Sequence, residues 1–268
     1  MKLEQIDGHT RLYAILGDPI SAVRSPEVFN ARFAAAGMNA VFLPLHVPAE
    51  DLVSAWTGLT SIRNIAGLVI TMPHKARVAA LLEEVGLAGQ VTGAVNAARR
   101  DADGRWRGDM FDGVGFVDGL LAEGHRVAGW KVRLHGLGGA GAAIALALAQ
   151  SGVARLALHD LDVDRCDRLC RRLTALFPRL CVSAGHRTED AFDAVVNATP
   201  LGMGSADPLP FDPAELPPTT LVVDVVTKPE MTPLLQRAAR TGHRVHTGKH
   251  MHAGQARRVA EFFGFSLA

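Results

Sequence analysis

Short apolar runs alternate with amphipathic stretches along the chain. Leu12–Leu16, Val41–Val47 and Ala66–Ile70 read as strands, the first of them stopped by the turn signal Gly17-Asp18-Pro19. Ser25-Pro26-Glu27 predicts a helix start, with Ser25 as N-cap and Pro26 at the first helical position. That helix is expected to run to about Ala36 and to stop at Gly37. Further helices are expected from about Pro48 to Leu59 and from Lys75 to Val85. Gly93–Arg99 and Arg105–Arg107 read as strands joined by a turn over Asp101–Gly104, and Val114–Glu123 as a helix. Beyond it, strands are expected at Lys131–His135, Ala154–His159, Leu180–Ser183, Asp193–Asn197, Leu221–Val225 and His243–His246. Helices are expected at Ala142–Gln150, Met231–Arg240 and Met251–Phe263, with a Pro/Gly-rich loop over Thr199–Pro210. Strands alternating with helices predict an α/β protein. The region from Asp112 to Gly129 reads as the linker between an N-terminal α/β layer and a second, regularly alternating one.

The second layer opens on the most informative stretch. The strand Lys131–His135 runs into Gly136-Leu137-Gly138-Gly139-Ala140-Gly141, a G-x-G-x-x-G, followed by an Ala/Leu-rich helix and a second strand ending in Asp160. Gly136 suits a tight strand-to-helix turn, Gly138 lets a pyrophosphate approach the backbone, and Gly141 lets helix and strand pack closely. Free N–H groups at the helix start stabilise phosphate charge. Asp160 lies where a carboxylate accepts hydrogen bonds from an adenosine ribose. These features predict a Rossmann-type doubly wound dinucleotide-binding domain over residues 113–247, after an α/β domain over 1–112. A carboxylate repels a 2′-phosphate, and Asp162 and Asp164 add acids nearby, so NAD is expected ahead of NADP. A phosphate contact from Arg165 or Arg168 would reverse that expectation.

Composition narrows the classes. With 268 residues and a formal net charge of +1, the chain has ample core and no electrostatic reason to bind nucleic acid or an anionic membrane. Three cysteines, Cys166, Cys170 and Cys181, do not pair evenly, so no disulfide framework is expected. Cys166 and Cys170, at i and i+4 on a helix, read as buried small residues rather than metal ligands. His243, His246, His250 and His252 crowd one region, but their spacing crosses a strand, a turn and a helix start, and no metal site is expected. Trp56, Trp106 and Trp130 read as packing residues. Met1–Asp7 has no apolar segment of leader type, and a cytoplasmic location is expected, as a monomer or homodimer.

A nicotinamide enzyme acting on an alcohol needs a group to move the hydroxyl proton. Lys75 follows a strand end and a proline. Asp112 lies in a glycine-flanked segment just before the nucleotide unit, expected at an inter-domain cleft. The spacing alone does not show that the two meet.

Gly17-Asp18-Pro19-Ile20 with Arg24-Ser25-Pro26, then Thr71-Met72-Pro73-His74-Lys75, Gly93-Ala94-Val95-Asn96, Gly108-Asp109 with Asp112-Gly113, Asn197-Ala198-Thr199, the Asp224–Pro233 segment and Gly254-Gln255-Ala256 resemble the shikimate dehydrogenase family in order and spacing. The resemblance covers essentially the whole chain. It implies a first domain that binds a small cyclic hydroxy carboxylate, a second that binds NADP or NAD, and a C-terminal helix, 248–268, returning to the first. Lys75 and Asp112 would then be the catalytic pair, Ser25 a carboxylate-binding hydroxyl, Asn96 and Gln255 ligands of ring hydroxyls, and Thr71 another substrate-facing residue. Around the cofactor it implies Gly136, Gly138, Gly139, Ala140, Gly141, Asp160, Asn197, Thr199, Pro200, Met203, Val225 and Gly248.

The departures bear on the substrate. Val23 stands where the family usually has the first of two serines, Val69 where it has an asparagine, Phe111 where it has a threonine and Thr227 where it has a tyrosine. His159-Asp160-Leu161 replaces the basic stretch of NADP-using members. The expected activity is therefore an NAD-preferring reduction of a ring ketone to an alcohol, on 3-dehydroshikimate or a close, less polar relative. The alternative is a non-catalytic NAD-binding sensor or regulatory protein of the same fold. The apolar changes motivate it, and the retained Lys75, Asp112, Asn96 and Gln255 oppose it.

Overall fold

The computed structural model describes residues 6–21, 23–185, 191–204 and 206–266. The chain divides into two units, Met1–Phe111 with Ala256–Ala268, and Asp112–Gln255. Each holds one six-stranded sheet.

Unit 1 contains β1 (Arg11–Gly17), α1 (Ser25–Ala35), β2 (Ala40–His46), α2 (Leu52–Ser61), β3 (Ile65–Ile70), α3 (Lys75–Ala79), β4 (Glu84–Val85), α4 (Leu87–Thr92), β5 (Ala97–Arg100) and β6 (Trp106–Asp109). Its sheet order is β2-β1-β3-β5-β6-β4. β1 pairs in parallel with β2 and β3, and β5 turns the sheet antiparallel. The interior strand β1 is apolar from Leu12 to Leu16, and buried from Tyr13 on, because both its faces are covered there. Tyr13 and Ile15 join Phe29 and Phe33 of α1 in one core, together with Val259 and Phe263 from the end of the chain. Ala14 and Leu16 join Leu52, Trp56 and Trp106 in the other, where the two indoles meet edge to face at 5.7 Å.

Unit 2 contains α5 (Asp112–Ala122), β7 (Lys131–His135), α6 (Gly139–Gln150), β8 (Arg155–His159), α7 (Val163–Leu176), β9 (Cys181–Ala184), β10 (Ala194–Asn197), β11 (Leu221–Asp224), α8 (Pro233–Arg240), β12 (Val245–His246) and the start of α9 (Gly248–Phe262). Its strands are all parallel in the order β12-β11-β10-β7-β8-β9. The winding reverses between β7 and β10, which makes a doubly wound sheet with its switch point at the carboxyl ends of those two strands. α6 is apolar on nearly every side, and Gly141–Ala149 is buried throughout. α7 is amphipathic and buries Cys166, Leu169 and Leu173. The Cys166 thiol donates to the Leu158 carbonyl at 3.1 Å, and burial pushes it up. Cys170 is pushed up to about 12, again chiefly by burial. These thiols are poor nucleophiles and poor metal ligands. No helix among the described residues is long and apolar enough to cross a membrane.

Several local expectations are corrected. The helix expected to Val85 stops at Ala79, and Glu84 and Val85 pair instead with Arg107 and Gly108 of β6. Strand pairing and the Glu84–Arg107 ion pair at 2.8 Å override the helical tendency of the leucines and glutamates. Ser25 is the first residue of α1 rather than its cap; Arg24 occupies the cap position without a side-chain cap bond. Asp112–Gly129 is not a linker. Asp112 opens α5, whose residues 112, 113 and 115–120 are buried. Its glycines weaken the helical reading but serve close packing, described below.

His246 on β12 is 3 % exposed. Its ring stacks on His250 at 4.6 Å, and His125 meets it edge-on at 5.8 Å. Burial first, then the neighbouring His250 and His125, push its pKa from 6.5 down to about 4. The unfolded chain therefore takes up this proton more readily than the folded one. The contribution is complete above pH 6.5 and is lost as pH falls toward 4. Urea unfolding across that interval is expected to show a loss approaching roughly 3 kcal/mol from this group. In His246→Phe that component of the pH slope should vanish, and an unchanged slope would contradict the assignment.

Candidate active site

At the switch point of unit 2, backbone meets backbone. Gly136 follows β7 with φ +86°, and a β-carbon there would lie 2.8 Å from the Thr199 amide. A β-carbon on Gly141 would lie 1.8 Å from the Gly136 carbonyl oxygen. The Ala198 amide donates to the His135 carbonyl at 2.7 Å and so ties the end of β10 to that of β7. At Gly138 a β-carbon would meet nothing within 4 Å, so the turn is open on that side. Gly138 is the N-cap of α6 and makes no side-chain cap bond. Gly139 and Ala140 follow in the first turn, where helix amides lack intrahelical acceptors. An open turn with free amides at the start of a twelve-residue helix fits a pyrophosphate.

Asp160 closes β8 beside this turn. Its Oδ2 accepts the Leu137 amide at 2.6 Å and its Oδ1 the Asp162 amide at 2.9 Å. The Arg165 guanidinium approaches both oxygens at 3.4 Å. Burial acts to raise this carboxyl, but the two amides and Arg165 outweigh it and hold it below the usual carboxylate range. A carboxylate has about four acceptor sites, so Asp160 retains capacity for ribose hydroxyls.

The loops after β10 and β11 are organised by a buried polar network. Asn197 and Asp224 are both 0 % exposed. Asn197 donates to Asp224 at 3.1 Å and to the Leu201 carbonyl at 3.0 Å, and its Oδ1 accepts the Thr199 hydroxyl at 2.6 Å. Thr232, the N-cap of α8, donates to Asp224 at 2.7 Å. Burial raises the Asp224 carboxyl above its ordinary value against the lowering effect of these donors. Met203 is half exposed and borders a cavity of about 300 Å³ shared with Pro229, Met231, Pro233 and Gln236. Pro200 is exposed on the same loop. The Val225 amide donates to the Asn197 carbonyl, and Gly248 packs so close that a β-carbon would lie 2.4 Å from the Val225 oxygen. Thr227 is exposed on the loop after β11.

Asp112 is 2 % exposed at the start of α5, and its Oδ1 accepts the Gln255 amide nitrogen at 2.7 Å. Glycines make this pairing possible. A β-carbon on Gly115 would lie 2.4 Å from the Gln255 backbone nitrogen, and one on Gly113 would lie 2.0 Å from the Ala143 carbonyl. α5 therefore meets α6 and the start of α9 almost backbone to backbone.

In unit 1, Asn96 is 0 % exposed and its Oδ1 accepts the Phe111 amide at 2.8 Å. Its carbonyl accepts the Ile70 amide at 2.8 Å, which fixes it beside the end of β3. Thr71 follows β3, and Lys75 opens α3 half-buried, its carbonyl bonded to the Val95 amide at 3.0 Å. Ser25 is buried at the start of α1. Val23, Val69 and Phe111 belong to one apolar cluster, in which the Phe111 ring lies 4.9 Å from Phe262. The three apolar departures are thus neighbours of one core rather than scattered changes.

The fold thus brings together Asn96 with Phe111, Asp112 with Gln255, Gly136 with both Gly141 and Thr199, and Val225 with Gly248. Lys75 and Asp112 belong to different units. Among the described residues no group of three His, Cys, Asp or Glu side chains is arranged to hold a metal ion. Sequence reasoning missed the Asp224–Thr232 bond, the Asp207 carboxylate that caps the Gly202 and Gly204 amides, and the buried His74. Only the glycine spacing of α5, Gly113-x-Gly115-x-x-x-Gly119, carried a legible signal of close helix packing.

A mixed α/β unit followed by a doubly wound unit with a dinucleotide cradle defines a class of nicotinamide-dependent oxidoreductases. Residues 15–98 match the family described as shikimate dehydrogenase substrate binding domain. The shikimate dehydrogenase (NADP(+)) of Rubrobacter xylanophilus is 39% identical over 243 residues, covering 90% of this chain and 85% of that protein. The structure of shikimate 5-dehydrogenase from Listeria monocytogenes in complex with shikimate and NAD superposes with a TM-score of 0.86 at 28% identity, covering 96% of this chain and 93% of that one. Quinate dehydrogenase from Corynebacterium glutamicum in complex with NAD gives 0.81 at 30% identity, covering 95% and 94%. The chain belongs to the shikimate dehydrogenase family.

The glycine packing is directly testable. Gly115→Ala is expected to lower unfolding stability by about 1–3 kcal/mol, because its methyl group meets the α9 backbone. Gly58→Ala on α2, where a β-carbon meets nothing within 4 Å, is the control and should be neutral or stabilising by up to about 1 kcal/mol. Equal urea midpoints for the two variants would contradict the account.

Proposed function

We propose that this protein interconverts a ring hydroxyl and a ketone on a small cyclic hydroxy carboxylate, shikimate and 3-dehydroshikimate or a less polar relative, with a nicotinamide dinucleotide. The observation that carries the reading is Asp112, a buried carboxylate held by Gln255 at the start of α5, in a chain that also keeps Lys75 and Asn96. When bound, the dinucleotide supplies the hydride acceptor or donor. In oxidation the carbon–hydrogen bond breaks with its electron pair leaving as hydride, and the hydroxyl gives up its proton. The Lys75 Nζ takes that proton and returns it in reduction, with Asp112 as its acid–base partner. Asn96 and Gln255 orient ring hydroxyls, Thr71 faces the substrate, and Ser25 takes the carboxylate. The apolar Val23 and Phe111 each forfeit a hydrogen bond of about 0.5–1.5 kcal/mol to a polar substrate, which favours a ring with fewer hydroxyls.

For the cofactor we propose NAD ahead of NADP, because the ionised Asp160 after β8 would repel a 2′-phosphate and suits free ribose hydroxyls. The second reading, NADP, is favoured by Arg165, whose side chain is 45% exposed beside Asp160, and by the NADP(+) in the names of the relatives.

Lys75→Ala is expected to lower kcat by roughly 10²–10⁴ while leaving dinucleotide affinity within about a factor of two. Normal turnover in that variant would refute the proton role. Asp160→Asn should shift the ratio of kcat/KM for NAD over NADP toward NADP by roughly tenfold or more. If instead Arg165→Ala selectively removes NADP turnover in a wild type that prefers NADP, the second reading is correct.

A further inference from the structure

His74 adjoins Lys75 and has no part in the chemistry above. Its ring is 0 % exposed, and Nε2 lies 2.7 Å from the Val47 carbonyl oxygen just beyond β2. A carbonyl only accepts, so Nε2 is the donor. Nδ1 has no hydrogen-bond partner among the described residues. Sequence reasoning placed His74 within a motif but gave it no role.

The neighbouring geometry supplies one. The turn from β3 into α3 is tied to β1 by the Thr71 amide on the Leu16 carbonyl at 2.9 Å, and Asp18 donates to the Met72 carbonyl at 3.0 Å. The His74 amide closes the turn on the Thr71 carbonyl at 3.0 Å, and the Val95 amide holds the Lys75 carbonyl at 3.0 Å. These are backbone bonds that many sequences can make. They fix where the turn runs, whereas α3 itself is five residues long and has no side-chain cap. So short a helix has little stability of its own, and its placement depends on tertiary bonds. The His74 ring supplies a constraint from a different direction, reaching across to the chain that leaves β2. The Val47 amide is itself anchored on the Gly17 carbonyl at 3.2 Å, so the ring bonds to a fixed point. A lysine or arginine making the same bond would bury a charge, and a purely apolar residue would leave the carbonyl unpaired.

We infer that His74 is a positioning residue for Lys75: its bond to the Val47 carbonyl sets the rotation of the first turn of α3, and with it the direction from which Lys75 reaches the reacting oxygen. The inference rests on the reading of Lys75 as the proton-moving group. Small errors in such a direction are costly in rate while leaving binding largely intact.

The test compares His74→Phe, which fills the space without a donor, with His74→Gln, whose side-chain amide restores one. The whole protein is assayed with shikimate and NAD or NADP. His74→Phe is expected to lose kcat by roughly ten- to a hundredfold, with KM and dinucleotide Kd within about twofold and a displaced pH profile of kcat. His74→Gln should recover most of the loss at comparable thermal stability. Wild-type kcat in His74→Phe overturns the inference. So does a loss in both variants that follows the unfolded fraction and weakens dinucleotide binding equally, since that is a structural effect alone. Lys75→Ala is run beside them. If it is active, the proton role of Lys75 fails and takes the inference with it. If it is inactive beside a fully active His74→Phe, only the positioning role of His74 fails.

Discussion

Three backbone segments meet without intervening side chains where the sheet of unit 2 reverses its winding. The Gly136 turn, the first turn of α6 and the Ala198–Thr199 segment approach within distances that no β-carbon at 136 or 141 would permit. The shape of the turn from β7 into α6 follows from that approach. It aims the open amides of α6 outward beyond the carboxyl ends of the strands, where an anion is stabilised by free N–H groups and the helix dipole. It also puts Asp160 within reach of the Leu137 amide, so that the acid shapes the turn.

The same economy recurs around the other candidate residues. Several buried polar side chains bond to a strand end or a loop. Asn96 holds the exit of β6 against β3, Asn197 and Asp224 shape the loops after β10 and β11, and His74 braces the entry to α3. Asp112 and Gln255 are held to each other by a helix face stripped to glycine. Residues expected to bind substrate or cofactor are thereby fixed by secondary structure rather than left on mobile side chains, which is what preorganisation requires.

Most of the architecture was legible in the sequence because strand and helix periods were clean and the glycine motif arrived with its strand, helix and acid in register. What was not legible has identifiable causes. β4 is two residues long, and only its pairing with β6 distinguishes it from a helix continuation. The glycines of α5 depress local helical propensity and give its sequence the character of a linker, although tertiary contact with α6 more than offsets this. Val23, Val69 and Phe111 were recognised as apolar substitutions one at a time, whereas their membership of one cluster is a property of the folded chain alone. The roles of Asp224 and His74 depend on partners 8 and 27 residues away, which no local pattern encodes.

The central claim is that this family fold, with its apolar cluster of Val23, Val69 and Phe111, still moves hydride on a cyclic hydroxy carboxylate. Its most direct test is the appearance of reduced nicotinamide absorbance when the pure protein meets shikimate, with NAD and NADP assayed in parallel. The account predicts turnover with at least one of them, faster with NAD. Dinucleotide binding without turnover of shikimate, quinate or any related ring acid would contradict it and identify a binding protein in place of an enzyme.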